Sequence, residues 1–225
     1  MDGGMTELLT VPCDHLVPTA EISLDQSVIL EPLSIGAHAV RRAGLQKEEQ
    51  VLIIGAGPIG LSVMAFASYQ GARVSVMDIN QDRLNFSRTW ANIENTINGL
   101  DKPLDALLEI TDGELPSVVF DATGSARSMI ESFNYTANGG KLVFVGLVKS
   151  DITFSDPEFH RRELTLFSSR NSTREDFGTV KKAVQSGAIN LASYITHRTD
   201  FDHMIENFKG LFDPQAGVIK AIIDL

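Results

Sequence analysis

Residues 51–60 are the most informative stretch of the chain: they read Val51-Leu52-Ile53-Ile54 and then Gly55-Ala56-Gly57-Pro58-Ile59-Gly60. The apolar run is typical of a strand buried on both faces of a parallel sheet. A Gly-x-Gly-x-x-Gly pattern that follows such a strand and opens a helix predicts a βαβ unit that binds a dinucleotide. Gly55 would allow the tight turn, Gly57 would let the backbone approach a pyrophosphate, and Gly60 would let the helix pack against the sheet.

An acidic residue, Asp78, ends the next predicted strand, which starts at Val74. A carboxylate at this position can accept both ribose hydroxyls of NAD and would repel the 2′-phosphate of NADP, so we predict NAD. Arg83, one helical turn further on, would lie across the adenine and could also accommodate NADP. An ordinary carboxylate at the end of a strand is the other interpretation of Asp78. The predicted cofactor residues of this first unit are Gly55, Gly57, Pro58, Ile59, Gly60, Asp78 and Arg83.

The pattern of strands and helices around this motif predicts the fold. We expect a helix from Glu31 with Pro32 in its first turn, and six strands that alternate with helices up to about Phe167. The fold class is therefore α/β, a doubly wound parallel sheet (Rossmann) with remnants of a second, incomplete catalytic domain. We expect residues 1–30 to belong to that catalytic domain, 31–169 to bind NAD, and 170–225 to return to the catalytic domain. In this second domain, a strand near residues 218–223 would pair with the extended segment at Leu8–Val11.

Two later loops follow predicted strands at the sheet edge where ligands bind in such folds. Thr123 and Gly124 lie in one, and Gly146 and Leu147 lie in the other. Either loop could line the nicotinamide ribose or be no more than a turn at the end of a strand.

Composition excludes several classes of partner. The formal charge of −10 argues against nucleic acid, because a phosphate backbone needs a basic face. The apolar stretches are too short to span a membrane, so we expect none. A single cysteine, Cys13, and an N-terminus without a secretory pattern favour the cytoplasm.

With these residues in place, the chain resembles the zinc-dependent medium-chain alcohol dehydrogenases. Within that family it is most similar to the polyol and sugar-acid branch, which includes sorbitol and L-galactonate 5-dehydrogenases. The resemblance covers nearly the whole chain. The matching segments are Asp2–Gly4, Glu31–Arg42, Gly55–Gly60, Asp121–Gly124, Phe144–Leu147, Phe154–His160, Ser169–Asn171 and Thr196–Arg198.

The resemblance implies a zinc site, an oligomer and a substrate class. Glu31 matches the position at which this branch presents a carboxylate to the catalytic zinc, although a carboxylate at a helix start is its other interpretation. The family's Cys and His-Glu zinc ligands belong to a segment that would precede this sequence, and Cys13 with His15 does not match them. Arg170 would reach the cofactor or, alternatively, lie exposed after a strand. Relatives form dimers or tetramers, so a homo-oligomer is expected.

These implications leave three hypotheses for function. In the first, the chain is the NAD(H)-binding part of a dehydrogenase that transfers hydride between NAD and a secondary alcohol of a polyol or sugar acid. In the second, it is a non-catalytic NAD-binding module or a fragment without activity of its own. A zinc-free reductase is the third. Because three protein ligands are needed for a catalytic zinc, we expect this chain to retain little zinc and to be inactive alone; its catalytic residues are not assigned.

Overall fold

The computed structural model describes residue 4 and residues 6–225. Asp2 and Gly3, which carry part of the family resemblance, lie outside the described residues. Eight α-helices are found in the described part: α1 Leu24–Ala43, α2 Pro58–Tyr69, α3 Gln81–Trp90, α4 Pro103–Ile110, α5 Ala126–Glu131, α6 Asp156–Arg161, α7 Arg174–Gln185 and α8 Met204–Asn207. The strands there are β1 Gln50–Ile54, β2 Arg73–Asp78, β3 Asn95–Asn98, β4 Val118–Asp121, β5 Lys141–Phe144, β6 Thr165–Ser168, β7 His197–Asp200 and β8 Ala221–Asp224.

Six of the described strands form one parallel sheet in the order β3-β2-β1-β4-β5-β6. This is the strand order of a doubly wound Rossmann sheet, with the order reversing between β1 and β4, and it confirms the predicted fold class. The register pairs Ile54 with both Met77 and Asp121, and Asp121 with Phe144. The carboxyl ends of these strands therefore meet at one edge of the sheet, and the loops that follow them emerge side by side.

The described residues divide into two compact units. Ile29–Asn190 form the unit that contains the six-stranded sheet, and Met1–Val28 with Leu191–Leu225 form the other. Helix α7 is thus grouped with the sheet. The assignment of residues 1–30 and 170–225 to a catalytic domain stays a prediction, because compactness alone does not identify a catalytic domain.

Helix α1 begins earlier than predicted, at Leu24 instead of Glu31. A capping box starts it: the Ser23 hydroxyl accepts from the N–H of Gln26 at 3.2 Å, and the Gln26 side chain accepts from the N–H of Ser23 at 2.9 Å. Pro32 therefore lies inside the helix, where it removes one backbone hydrogen bond. Burial of Leu30 and Leu33 offsets the loss of this hydrogen bond. Tertiary packing therefore tolerates a proline that would otherwise be expected in the first turn of a helix.

The smaller unit also differs from the prediction. Strand β8 pairs in parallel with β7, and in the described residues the segment Leu8–Val11 forms no strand. The expected pairing of the last strand with the N-terminal segment is therefore wrong. Arg198 of β7 makes ion pairs with Asp25 and with Asp224 of β8, the latter at 3.0 Å, and these contacts join the two parts of this unit.

Among the described residues, we find no helix with the length and the apolar character needed to cross a membrane.

Candidate functional site

The turn between β1 and α2 depends on glycine at two positions, Gly55 and Gly60. Gly55 has φ +99°, a conformation that side chains disfavour. A Cβ on Gly60 would lie 1.7 Å from the carbonyl oxygen of Gly55, so any side chain there would collide with the backbone. Glycine at both positions lets α2 start directly against the end of β1.

Gly57 differs from these two because its surroundings are open. Its backbone has φ −77° and ψ −177°, which any residue can adopt, and the nearest atom to an added Cβ is Nη1 of Arg83, at 3.9 Å. Gly57 precedes the first turn of α2, whose backbone N–H groups lack partners within the helix and favour an anion. The open space over Gly57 is therefore suited to a phosphate held by backbone groups.

Asp78 lies beside this turn, at the end of β2. Its carboxylate is buried and accepts from the backbone N–H of Ala56 at 2.6 Å and from that of Asn80 at 2.8 Å, one bond to each oxygen. An ionised carboxylate has about four acceptor positions, so each oxygen of Asp78 can still accept one hydroxyl. The carboxylate that accepts from the turn between β1 and α2, here called the glycine turn, can thus also accept from a ribose diol.

The loop after β4 is organised by a second buried carboxylate, Asp121. One oxygen accepts from the Thr123 backbone N–H at 3.0 Å and from its hydroxyl at 2.7 Å, and the other accepts from the Ser128 hydroxyl at 2.5 Å. Burial raises the pKa of Asp121, and the hydrogen bonds from Ser128 and Thr123 partly oppose this effect. The loop is therefore held in one conformation.

The loops after β4 and β5 pack backbone against backbone. A Cβ on Gly146 would lie 2.5 Å from the backbone nitrogen of Gly124, which explains the glycine at 146. Gly124 has φ +66°, and a Cβ there would lie 3.4 Å from the carbonyl oxygen of Leu147. Leu147 itself is largely exposed. The two loops predicted to lie near the nicotinamide are thus neighbours in the structure.

A cavity of about 390 Å³ opens at this edge of the sheet. Five of the predicted cofactor residues line it: Gly55, Gly57, Asp78, Arg83 and Thr123. The others do not line this cavity. Pro58, Ile59 and Gly60 form the first turn of α2, Gly124, Gly146 and Leu147 lie in the neighbouring loops, and Arg170 is exposed after β6.

Sequence reasoning missed much of the cavity wall. Apolar contacts come from Met77, Ile79 and Leu100, and polar groups come from α5 and the turn that follows it. The polar wall consists of Ser125, Arg127, Ser128, Glu131 and Tyr135. The spacing of Ser128, Glu131 and Tyr135 along one helical face was visible in the sequence, but only the fold shows that this face borders a cavity.

The described residues do not fit a catalytic zinc. No group of three or more His, Cys, Asp or Glu side chains among them is placed to hold a metal ion. Glu31 is exposed in α1, and Cys13 is exposed in a short 3-10 helix. The assignment of Glu31 as a metal ligand stays a prediction.

The sheet order, the glycine turn and the strand-end carboxylate define a Rossmann domain of the dinucleotide-binding class. The zinc-binding dehydrogenase family model matches residues 58–186, more than half of the chain. The chain belongs to the zinc-binding dehydrogenase family, which confirms the predicted resemblance.

Individual relatives agree with this assignment. The chain is 39% identical to L-galactonate-5-dehydrogenase of Escherichia coli K12 over 223 residues, which cover 99% of this chain and 65% of that protein. It is 29% identical to D-xylulose reductase of Scheffersomyces stipitis over 232 residues, which cover 99% of this chain and 64% of the relative. The chain thus spans slightly less than two thirds of the length of these relatives.

A solved structure shares the fold. The crystal structure of an alcohol dehydrogenase from E. coli CFT073, described as short chain and complexed with the cofactor NADH, superimposes with a TM-score of 0.87 at 23% identity. The match covers 96% of this chain and 64% of that one.

Proposed function

We propose that this chain binds NAD(H) in the cavity at the carboxyl edge of its sheet. The observation that carries the proposal is the combination of open space over Gly57 with the spare acceptor capacity of Asp78. The backbone at the start of α2 would hold the pyrophosphate, and Asp78 would hold the adenosine ribose. When bound, NAD supplies the hydride acceptor.

Arg83 supports the same arrangement. Its guanidinium lies close to the space over Gly57, where it would add a local positive charge to a chain with a formal charge of −10. Thr123, held by Asp121, lines the same cavity. We propose that Gly124, Gly146, Leu147 and Arg170 lie along the path of the nicotinamide half.

Titration calorimetry of the full chain with NADH tests this proposal. We expect saturable binding at one site per chain, and we expect Gly57→Val to weaken this binding strongly. A folded protein that releases or absorbs no heat with NADH and shows no shift in melting temperature would overturn the proposal.

We extend the proposal to a reaction class. As part of a zinc-type dehydrogenase, the chain would take part in hydride transfer between NAD and a secondary alcohol of a polyol or sugar acid. The likeness to L-galactonate-5-dehydrogenase supports this substrate class. Zinc belongs to the family but would not be retained by these residues, because the described part offers no set of three ligands.

That observation favours a second candidate, a non-catalytic NAD-binding module. Assays of NADH formation with L-galactonate and sorbitol separate the two: turnover supports the dehydrogenase, and cofactor binding without turnover supports the module. We also propose a cytoplasmic homo-oligomer. Strand β6 ends the six-stranded sheet in the described residues, and the edge of a terminal strand can pair with a second copy; sedimentation can test this oligomer.

A further inference from the structure

Part of the wall of the cavity that Asp78 lines is polar and is formed by α5 and the turn after it. Arg127, Glu131 and Tyr135 follow one another at intervals of four residues and line the same cavity as Asp78. The sequence motif for dinucleotide binding does not include this region, and nothing in the glycine turn requires these three residue types.

Two of these side chains present unused hydrogen-bonding atoms. Arg127 donates through Nε to Oε1 of Glu131 at 2.8 Å, and Oε2 of Glu131 accepts no hydrogen bond from any residue that the structure describes. Glu131 is 45% exposed. Its carboxylate is therefore held at the cavity by the arginine, with one oxygen remaining for a ligand.

The ring of Tyr135 is buried, whereas its hydroxyl is accessible. The ring packs in the core with Leu107 and Phe133, while the hydroxyl makes no hydrogen bond with the described residues. Burial raises the pKa of the phenol, and the charge of Glu131 raises it further, so the hydroxyl keeps its proton. A buried aromatic ring with a protonated hydroxyl at a cavity wall is a fixed hydrogen-bond donor.

Other parts of the cavity wall are apolar and accessible. Ile79 is 67% exposed and Leu100 is 75% exposed, although both are large apolar side chains that line the cavity. Two exposed apolar side chains that line the same cavity as a donor and an acceptor are suited to a flat heteroaromatic ring that carries an amino group.

We propose that Glu131 and Tyr135 recognise the adenine base of the dinucleotide, with Glu131 accepting from the exocyclic amino group and Tyr135 donating to the adjacent ring nitrogen, N1. Arg127 is a positioning residue that holds Glu131. This inference depends on the proposed binding of NAD and adds base specificity to it. Hypoxanthine replaces the amino group by a carbonyl oxygen and a ring acceptor by an N–H, so both groups of the protein would face a ligand atom of the wrong kind.

The test compares NAD with nicotinamide hypoxanthine dinucleotide by titration calorimetry on the full chain. We expect the parent to bind NAD about tenfold more tightly, since mispaired polar groups at a partly exposed site cost about 1.4 kcal/mol. In Glu131→Gln this preference should fall to about twofold or less, because an amide can present either a donor or an acceptor. Tyr135→Phe keeps the ring in the core and should narrow the preference to a smaller degree.

Glu158→Gln is the matched control. Glu158 forms an exposed ion pair with Arg161 at the same distance of 2.8 Å, and it does not line the cavity. The preference of Glu158→Gln for NAD over the hypoxanthine dinucleotide should equal that of the parent. Equal affinity of the parent for both dinucleotides would overturn the base-recognition proposal and leave NAD binding standing. An unchanged preference for NAD in Glu131→Gln would also overturn base recognition and leave NAD binding standing. Failure of the folded parent to bind either dinucleotide would overturn both proposals.

Discussion

At the scale of single residues, Asp78 has one observed role and one proposed role. Its carboxylate accepts backbone N–H groups from Ala56 in the turn between β1 and α2 and from Asn80, and we propose that its remaining lone pairs accept from a ribose. The sequence predicts that this acidic residue contacts the cofactor. The structure adds that the same side chain supports the turn, so substitutions here affect loop geometry as well as recognition.

We predict that the chain binds NAD(H) at least about tenfold more tightly than NADP(H), which corresponds to about 1.4 kcal/mol. Asp78→Asn should narrow this gap mainly by weakening NAD, because an amide nitrogen cannot accept from a hydroxyl. Calorimetry with both cofactors measures the gap. Asp82→Asn, which changes the same charge on an exposed residue outside the cavity, is the control, and equal affinities of the parent for NAD and NADP would contradict the prediction.

At the scale of structural elements, the junction between β1 and α2 contains one glycine that the packing of the fold requires and one that the proposed cofactor site requires. Gly60 and Gly57 are both glycines of one motif, but an added Cβ meets backbone at 1.7 Å at the first and open space at the second. Their substitution should therefore give different outcomes.

Gly57→Val should leave the thermal unfolding midpoint nearly unchanged and weaken NADH on the order of a hundredfold, about 3 kcal/mol, because the side chain occupies the space for the pyrophosphate. Gly60→Ala should instead lower the unfolding midpoint, since the collision with Gly55 forces α2 away from the sheet. Scanning calorimetry and NADH titration on both variants make the comparison. NADH affinity in Gly57→Val equal to that of the parent would show that this turn is not the phosphate site.

Helices α1 and α7 are joined by a buried carboxylate. Asp176 is 1% exposed and accepts from Nε of Arg41 at 2.8 Å and from the backbone N–H of Thr173 at 2.7 Å, with His38 Nδ1 at 2.8 Å. Burial by itself would raise the pKa of Asp176, but the hydrogen bonds from Arg41, Thr173 and His38 outweigh it and hold the pKa well below its ordinary value.

A lowered pKa in the folded state means that the unfolded chain binds a proton more readily. The stabilisation from Asp176 is therefore complete above the ordinary aspartate pKa of about 4 and is lost as the pH falls below it. Asp176→Ala should cost about 3 kcal/mol at neutral pH, because it removes one partner from a buried charged network. Urea unfolding between neutral and acidic pH should show a flatter profile for Asp176→Asn than for the parent.

The exposed pair of Glu48 and Arg73, at 3.1 Å, supplies the control for this experiment. Glu48→Gln should change stability by no more than about 1 kcal/mol and should leave the acid dependence in place. If Asp176→Asn and the parent lose stability in parallel on acidification, other carboxylates are responsible for the acid sensitivity.

At the scale of the whole molecule, metal content and activity are linked. The described residues contain no group of three metal-ligating side chains, so we predict little tightly bound zinc in the purified chain and no zinc-dependent oxidation of L-galactonate, sorbitol or threonine. Elemental analysis and NADH absorbance can be measured on one preparation. Stoichiometric zinc together with turnover would contradict the prediction and would direct attention to Cys13, His15 and Glu31.

The sequence alone determined the features whose causes are local. The apolar strand, the glycine pattern and the acidic residue at the end of β2 lie within 28 consecutive positions, Val51 to Asp78, and each constrains backbone conformation or short-range packing. For this reason the Rossmann sheet and the core of the candidate site could be predicted without coordinates.

Only the tertiary structure decided the features that join distant segments. No local pattern in the chain indicates the pairing of β7 with β8 or the contact of His38 with Asp176 across 138 positions. The same holds for the presence of Glu131 and Tyr135 in the wall of the cavity that Asp78 lines. The accommodation of Pro32 inside α1 belongs here too, since burial of the residues around the proline offsets the lost hydrogen bond. The start of α1, in contrast, follows the local capping box of Ser23 and Gln26. Long-range packing determines these features because their free energy comes from surfaces that meet only after the sheet has formed.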